Sequence, residues 1–205
     1  MPAGIFITLE GPEGAGKTTQ ADTLAEWLRE RGHGVIVTRE PGGDPLAEGI
    51  RALLQNPEWA LDVRAELLLF LAARAQHVAH VIRPALAQGR TVVCDRFSDS
   101  TLAYQSAGSG LPLAEVRALN EFATGGLAPD LTLLLDLDVT LGLRRQGEWA
   151  RMERRGVEFH RRVREGFLRL AAAEPERVRV VDAARPLEAV AAEIRAIVDC
   201  GLRIS

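Results

Sequence analysis

The chain has 205 residues, of which 47% are hydrophobic and 26% charged, and its formal net charge is −3. This length predicts one α/β domain over residues 1–205, and the weakly acidic balance argues against nucleic acid or an anionic membrane as a partner. Cys94 and Cys200 are too few for a disulfide framework. Because neither a signal peptide nor an apolar run of membrane length is recognised, we expect a cytoplasmic protein.

Apolar runs typical of β-strands alternate with stretches of helical amphipathic pattern along the chain. Strands are expected at 5–10, 35–39, 91–95, 131–137 and 177–181. Helices are expected at about 17–31, 44–54, 62–88 with a kink at Pro84, 99–107, 112–124, 141–172 and 187–198. The alternation predicts a five-stranded, mostly parallel sheet with helices on both faces.

A glycine-rich phosphate-binding loop, or P-loop, follows the first predicted strand and opens the first predicted helix. The pattern G-x-x-x-x-G-K-[ST] is met, and the predicted nucleotide-binding residues are Gly11, Pro12, Glu13, Gly14, Ala15, Gly16, Lys17, Thr18 and Thr19. Glycines allow backbone N–H groups to surround phosphate oxygens, and the helix N-terminus adds positive potential. Lys17 is expected to reach the β- and γ-phosphates of ATP, and the Thr18 hydroxyl to bind Mg²⁺.

A P-loop alone does not distinguish kinases from switch GTPases or assembly ATPases. Lys17 is the only lysine among the 25 basic residues, so the sequence has no Asn-Lys-x-Asp motif for reading guanine. A compact ammonium fits between phosphate oxygens where a planar guanidinium does not. A small-molecule kinase, a different nucleotide kinase and a partner-stimulated ATPase stay open at this point.

A second group of residues is suited to an acceptor nucleotide. Arg39 and Arg96 offer guanidinium groups for a phosphate, and Asp95, at a strand end, is a candidate Mg²⁺ ligand. Phe70, Arg74, Thr101 and Gln105 offer an aromatic face and polar groups for a base. Singly, Phe70 is more often core, Arg74 a surface group, and Asp95–Arg96 a structural ion pair. Phe70 and Arg74 share one face of a predicted helix at i, i+4, and the other residues follow predicted strands. Their joint occurrence favours a binding site.

The sequence resembles bacterial thymidylate kinases in segments spread along nearly the whole chain. The resemblance rests on residues 10–19, 38–43, the Phe70-x-x-x-Arg74 pair, 95–105 and 128–132. It implies the P-loop nucleoside monophosphate kinase fold and a homodimer. It also implies transfer of the γ-phosphoryl group of ATP to dTMP, giving dTDP and ADP.

The resemblance also implies a role for each matching residue. Phe70 would stack on thymine, Arg74 would bond a thymine carbonyl, and Thr101 and Gln105 would help to fix the base. Arg39 and Arg96 would bind the acceptor phosphate. Tyr104 would lie against the sugar near C2′, and Glu13 would approach the 3′-hydroxyl or the water network of the metal.

The P-loop has no arginine, so the resemblance places the catalytic arginine in a mobile lid at about 144–155. The candidates are Arg144, Arg145, Arg151, Arg154 and Arg155. The family's Asp-Arg-[Ile/Phe]-Glu motif reads 150-Ala-Arg-Met-Glu-153 here, and the lid is shorter than usual. We expect Arg151 to be catalytic and Arg145 to be the second candidate. The alternatives are a solvated, charged helix and a nucleic-acid patch.

Overall fold

The computed structural model describes residues 4–145 and 155–202, and these form one parallel five-stranded sheet. The strands are β1 (Phe6–Glu10), β2 (Val35–Arg39), β3 (Thr91–Asp95), β4 (Leu131–Asp136) and β5 (Val178–Asp182). Their spatial order is β2-β3-β1-β4-β5, so β1 is central and buried throughout. The predicted fold class is confirmed.

Strand register brings the chemistry-bearing residues to one edge of the sheet. Asp95 is opposite Arg39 on one side and Leu9 on the other, so the carboxyl ends of β1, β2 and β3 lie together. In open α/β sheets, ligands bind beyond these carboxyl ends.

Helices cover both faces of the sheet. They are α1 (Lys17–Glu30), α2 (Pro45–Gln55), α3 (Val63–His77), α4 (Arg83–Ala87), α5 (Ser98–Thr101), α6 (Leu113–Thr124), α7 (Val139–Arg145), α8 (Gly156–Ala173) and α9 (Leu187–Leu202). On one face, side chains of α1 and α9 pack with Ile7, Leu9 and Leu133. On the other face, Phe6 and Val92 pack with Val78, Ile82 and Ala85, and Leu134 packs with Tyr104 and with side chains of α8. Successive side chains along a strand therefore pack into hydrophobic cores on opposite faces of the sheet.

Two of the predicted helices contain a π-helical segment, in which hydrogen bonds span five residues and not four. The long helix expected over 62–88 becomes a π-helix at Val78–Ile82 before continuing as α4. The Arg83 N–H donates to the carbonyl of Val78, five residues earlier. Pro84 lacks an N–H and its ring crowds the preceding turn, so the irregularity lies ahead of the proline. The second π-helix, Leu102–Gly108, replaces the last turns of the helix expected over 99–107.

The α3–α4 region corrects the expectation that no apolar run reaches membrane length. Val63–Ala87 is long and apolar enough to span a bilayer, with mean hydropathy 1.2, and 44% of its most apolar stretch is buried in the fold. Length and hydropathy alone are weak evidence for a span. Its buried side includes Glu66, Arg74 and His77, which hydrogen-bond inside the protein.

Candidate active site

The P-loop turns between β1 and α1 with backbone angles that exclude side chains at two glycines. Gly11 has φ 139° and Gly14 has φ 71°, both in the region that favours glycine. A Cβ on Gly11 would lie 2.3 Å from the carbonyl oxygen of Leu135, and one on Gly14 would lie 2.2 Å from that of Gly142. The loop is therefore seated against the β4 end and α7, while Gly16, Lys17, Thr18 and Thr19 line an open cavity.

Lys17 is buried beneath this cavity and folded onto the loop itself. Its Nζ donates to the carbonyls of Gly11 (3.2 Å) and Pro12 (2.8 Å). Burial, helped by the charge of Arg96, lowers the pKa of Lys17 to about 8, although Glu13 and Asp95 oppose this shift. The ammonium is thus bound by neutral carbonyl partners that negatively charged phosphate oxygens can replace.

Thr18 and Asp95 meet where a divalent cation is expected. The Thr18 hydroxyl donates to Oδ2 of Asp95 at 2.5 Å. The other carboxylate oxygen, Oδ1, is buried and receives no hydrogen bond from the described residues. Carboxylate and hydroxyl oxygens suit Mg²⁺, which keeps several waters and phosphate ligands. The described residues contain no cluster of three or more His, Cys, Asp or Glu able to hold a metal. The residues present fit Mg²⁺.

Glu13, Arg96 and Tyr104 form a compact triad above the P-loop. Oε1 of Glu13 lies 2.8 Å from Nη2 of Arg96 and accepts the Tyr104 hydroxyl at 2.8 Å. Burial alone would raise the pKa of Glu13, but the charges of Arg96 and Lys17 outweigh it and lower the pKa to about 2. Arg96 therefore pairs with Glu13, and the interpretation of Asp95–Arg96 as an ion pair is wrong.

Arg96 is held in a backbone conformation that a non-glycine residue rarely adopts. Its φ is 71°, and its Nη1 donates to the Gly11 carbonyl (3.1 Å) and the Ser100 hydroxyl (3.1 Å). Such local strain costs about 1–3 kcal/mol and persists where surrounding contacts fix the residue. The result is a guanidinium that bridges the P-loop and the acceptor side of the cavity.

Glu10, the last residue of β1, supports this arrangement from below. Its Oε1 accepts from the Phe97 N–H (2.7 Å) and the Ser100 N–H (3.2 Å), and its Oε2 from the Ser100 hydroxyl (2.5 Å). Burial and the nearby Asp99 charge raise the pKa of Glu10 to about 7. Glu10 thus fixes the loop that carries Arg96, a role that the sequence analysis did not assign.

Arg74 is buried and hydrogen-bonded to several residues, and the alternative interpretation as a solvated surface group is wrong. Its side chain is 2% exposed, and its donors reach Glu40 Oε2 (2.7 Å), Thr101 Oγ1 (2.8 Å), Asn120 Oδ1 (2.6 Å) and the Phe97 carbonyl (3.0 Å). These contacts use four of the five guanidinium N–H groups. One Nη2 N–H has no acceptor among the described residues, and Arg74 is one of the residues that line the cavity.

Glu40 and His77 complete the support behind Arg74. Oε1 of Glu40 lies 3.0 Å from Nδ1 of His77, whose Nε2 is 2.7 Å from the Thr38 hydroxyl. Sequence reasoning missed the roles of Asn120 and His77, because helix periodicity marks each position only as buried.

The cavity joins the P-loop to the predicted base site in one space of about 580 Å³. Phe70, half-buried on α3, lines it together with Arg74, Thr101, Tyr104 and Gln105. Gly11, Pro12 and Ala15 of the P-loop are not among the described residues that line it. The structure thus brings the predicted base-binding and phosphate-binding residues together, at a size suited to a nucleotide.

Three further arginines line the phosphate end of the cavity. Arg39 is half-exposed and pairs with Glu48 at 2.8 Å. Arg51, which the sequence analysis did not single out, donates to the Pro41 carbonyl (2.8 Å), and burial together with the charge of Arg39 lowers its pKa. Arg145 ends α7 and donates to the Ala183 carbonyl at 3.1 Å.

Most of the predicted lid, including Arg151 and Arg154, lies outside the described residues. Arg155 is described, and it is paired with the buried Glu66 at 2.6 Å, away from the phosphate end. Beyond it, Arg161 and Arg169 pair with glutamates on the exposed side of α8, as the solvated-helix alternative predicts.

The sheet order, the P-loop at the end of β1 and the adjoining cavity define a P-loop kinase of the nucleoside monophosphate type. The family model for thymidylate kinase matches residues 9–194. The chain therefore belongs to the thymidylate kinase family, and the predicted resemblance is confirmed.

Individual relatives agree with this placement over almost the whole chain. A Deinococcus radiodurans protein named thymidylate kinase is 54% identical over 201 residues, covering 97% of this chain and 98% of that protein. One from Pseudomonas fluorescens strain Pf-5 is 57% identical over 191 residues, covering 91% of each. The crystal structure of thymidylate kinase from Ehrlichia chaffeensis superposes with a TM-score of 0.80 at 38% identity, covering 96% of this chain and 99% of that one.

Proposed function

We propose that this enzyme transfers the γ-phosphoryl group of ATP to dTMP. An oxygen of the dTMP phosphate attacks the γ-phosphorus, the bond to the β–γ bridging oxygen breaks, and dTDP and ADP form. The observation that supports this most is Arg74. Four of its N–H groups are fixed by the protein and the fifth is left at the cavity beside Phe70.

The donor nucleotide binds on the P-loop in this proposal. Backbone N–H groups of residues 11–18 surround the phosphates, and Lys17 exchanges its carbonyl partners for β- and γ-phosphate oxygens. Thr18 and Asp95 would hold Mg²⁺, directly or through water. When bound, Mg²⁺ neutralises charge on the β- and γ-phosphates. Positioning and charge neutralisation then supply most of the catalysis.

The acceptor base binds at the α3 side of the cavity. Phe70 stacks on the ring, the spare Arg74 N–H donates to a base carbonyl, and Thr101 and Gln105 fix the edge. Arg74 cannot rotate without breaking its other contacts. A base with an amino group in place of that carbonyl would therefore set its own N–H donor against the N–H donor of Arg74.

The acceptor phosphate lies between the arginines at the P-loop end. Arg96 and Arg39 bind it as bidentate partners, and Arg51 adds positive charge beside them. Glu13 orients Arg96 through their 2.8 Å pair and approaches the sugar, against which the Tyr104 ring packs. Arg151 supplies the remaining positive charge to the transferring group, with Arg145 as the second candidate.

A specificity assay tests the proposal. ADP release is measured with dTMP, dUMP, dCMP, AMP and GMP as acceptors, and the phosphorylated product is identified by mass spectrometry. We expect dTMP to give the highest kcat/KM. Equal use of all acceptors would contradict thymidylate specificity, and ATP hydrolysis without a phosphorylated acceptor would indicate a partner-dependent ATPase.

We also propose one domain over residues 1–205, with a lid at about 144–155, in a cytoplasmic homodimer that needs neither nucleic acid nor a membrane. An exposed apolar stripe on α3 supports the dimer. It consists of Ala65, Leu68, Ala72 and Ala75, and it continues to Ala79 in the π-helix that follows. Leu68 is 58% exposed, and Phe122 on the neighbouring α6 is 87% exposed. A second copy of this chain would cover both, and the second apolar face of α3 accounts for its high hydropathy.

A further inference from the structure

Glu66 on α3 is a carboxylate whose position the proposed chemistry does not yet use. It is fully buried, one helical turn from Phe70 on the side of α3 that faces the π-helical segment Leu102–Gly108. Its Oε1 accepts a hydrogen bond from Nε2 of Gln105 at 2.9 Å. A buried carboxylate is costly unless it is paired, so its placement beside a cavity residue needs an explanation.

The contact with Glu66 fixes which way the Gln105 amide points. A carboxylate only accepts hydrogen bonds, so the NH₂ group of Gln105 must face Glu66 and the carbonyl oxygen must face away. No described residue donates to the amide oxygen of Gln105, and Gln105 lines the nucleotide cavity. Reversing the amide would set its oxygen against the Glu66 carboxylate. Gln105 therefore offers the cavity an acceptor and not a donor.

Arg155 holds Glu66 in place. Its Nη2 lies 2.6 Å from Oε2 of Glu66, and its Nη1 donates to the Ser109 hydroxyl at 2.8 Å. The guanidinium carbon also lies 5.0 Å from the ring centroid of Phe159. Arg155 thus balances the buried charge on the side of Glu66 away from Gln105, as a buried carboxylate requires.

We propose that Glu66 is a positioning residue that sets pyrimidine specificity by orienting Gln105. The inference rests on the proposed function. The Gln105 oxygen accepts the imide N3–H of thymine, while the spare Arg74 N–H donates to the neighbouring carbonyl. In cytosine, N3 is unprotonated, so an acceptor faces the acceptor oxygen of Gln105. The amino group of cytosine is a donor and faces the donor N–H of Arg74. A freely rotating glutamine would offer its NH₂ group to cytosine N3 and lose this discrimination.

The test compares Glu66→Gln with the wild type. Values of kcat and KM are measured for dTMP and dCMP, together with the Tm of each protein. We expect the dTMP:dCMP ratio of kcat/KM to fall about tenfold, mainly through KM, with kcat for dTMP within about twofold of wild type. The matched control is Glu174→Gln, which removes a carboxylate paired with Arg177 far from the cavity and leaves the ratio unchanged.

A double-mutant cycle with Gln105→Met separates positioning from general stability. If Glu66 acts through Gln105, the double variant shows the same ratio as Gln105→Met alone. If Glu66→Gln does not fold, Glu66→Asp withdraws the carboxylate by one methylene and is expected to lower the ratio in the same direction. A lower Tm with an unchanged ratio in the variant tested overturns the inference. Failure of the wild type to phosphorylate dTMP overturns the proposed function as well, so the two failures are distinguishable.

Discussion

Arg74 and Glu40 form a buried ion pair, with Nε of Arg74 2.7 Å from Oε2 of Glu40 and both side chains less than 5% exposed. The pair joins the loop after β2 to the last turn of α3. Removing one member of such a pair leaves the other charge buried without a partner, which typically costs about 3–5 kcal/mol of stability. Arg74→Ala would therefore mix a loss of stability with any loss of base recognition.

Arg74→Lys is the cleaner substitution at this position. A lysine keeps a positive charge for Glu40 but cannot reproduce the planar fork that contacts Thr101, Asn120 and the cavity. We expect kcat/KM for dTMP to fall about 10²-fold or more while ATP affinity stays within about twofold. Steady-state kinetics and ATP calorimetry measure the two effects. The matched control is Arg161→Lys on the exposed side of α8. Equal loss of both ligands would argue against a role in base binding.

The two candidate lid arginines are separable by alanine substitution. We expect Arg151→Ala to lower kcat by about 10²-fold or more with little change in the KM for dTMP, as for a group that acts mainly in the transition state. Arg145→Ala is expected to be milder, because Arg145 is already engaged with the Ala183 carbonyl. An unchanged kcat in Arg151→Ala, or the reverse order of effects, would remove Arg151 from its proposed role.

Asp95→Asn tests the proposed metal site. The substitution keeps an oxygen near Thr18 but removes the negative charge and one buried oxygen. We expect the Mg²⁺ concentration for half-maximal activity to rise about tenfold, because a carboxylate is a far better Mg²⁺ ligand than an amide. Titration of Mg²⁺ at fixed ATP measures this. Asp62→Asn, at the exposed N-cap of α3, is the control. An unchanged Mg²⁺ requirement would exclude Asp95 from the site.

Glu10 should make folding stability fall as pH rises from about 5 to 8. Its pKa is about 7 in the folded protein, against an ordinary value of 4.5, so the folded state binds the proton more tightly. The stabilisation is complete below pH 4.5 and is lost as pH rises through 7. The shift is worth about 3 kcal/mol.

Denaturant unfolding at pH 5 and pH 8 measures this contribution when wild type is compared with Glu10→Gln. The free energy of unfolding of wild type should fall by about 3 kcal/mol relative to the variant over this range. Glu13, with a pKa of about 2, contributes little there, because it is ionised in the folded protein and mostly ionised in the unfolded chain. Parallel pH profiles for the two proteins would contradict the burial argument.

Leu68→Glu tests the proposed dimer. Leu68 is exposed on α3, so a charge there costs little in a monomer but is buried if a second copy covers the stripe. We expect sedimentation to show a dimer for wild type and a monomer for the variant, with unchanged secondary structure by circular dichroism. Leu187→Glu, on the start of α9, is the matched control and should remain dimeric. A monomeric wild type would overturn the dimer.

Local patterns in the sequence predicted the sheet and the P-loop well. A strand such as β3 is recognised by an unbroken apolar run bounded by turn residues, and Gly11 and Lys17 occur at fixed spacing because the loop's geometry is local. Boundaries were less accurate where a helix widened, as at Val78–Ile82, since the π-turn depends on packing around Pro84 and not on periodicity.

The partners of each polar group were decided only by the tertiary structure. The sequence by itself determined that a phosphate-binding loop, an acceptor site and a parallel sheet are present, because each depends on residues that are contiguous or regularly spaced in the chain. It did not determine that Arg96 pairs with Glu13, that Arg74 rests on Glu40, or that Arg155 reaches Glu66. These contacts join residues 34 to 89 positions apart, and only chain packing sets which charges share the low-dielectric interior.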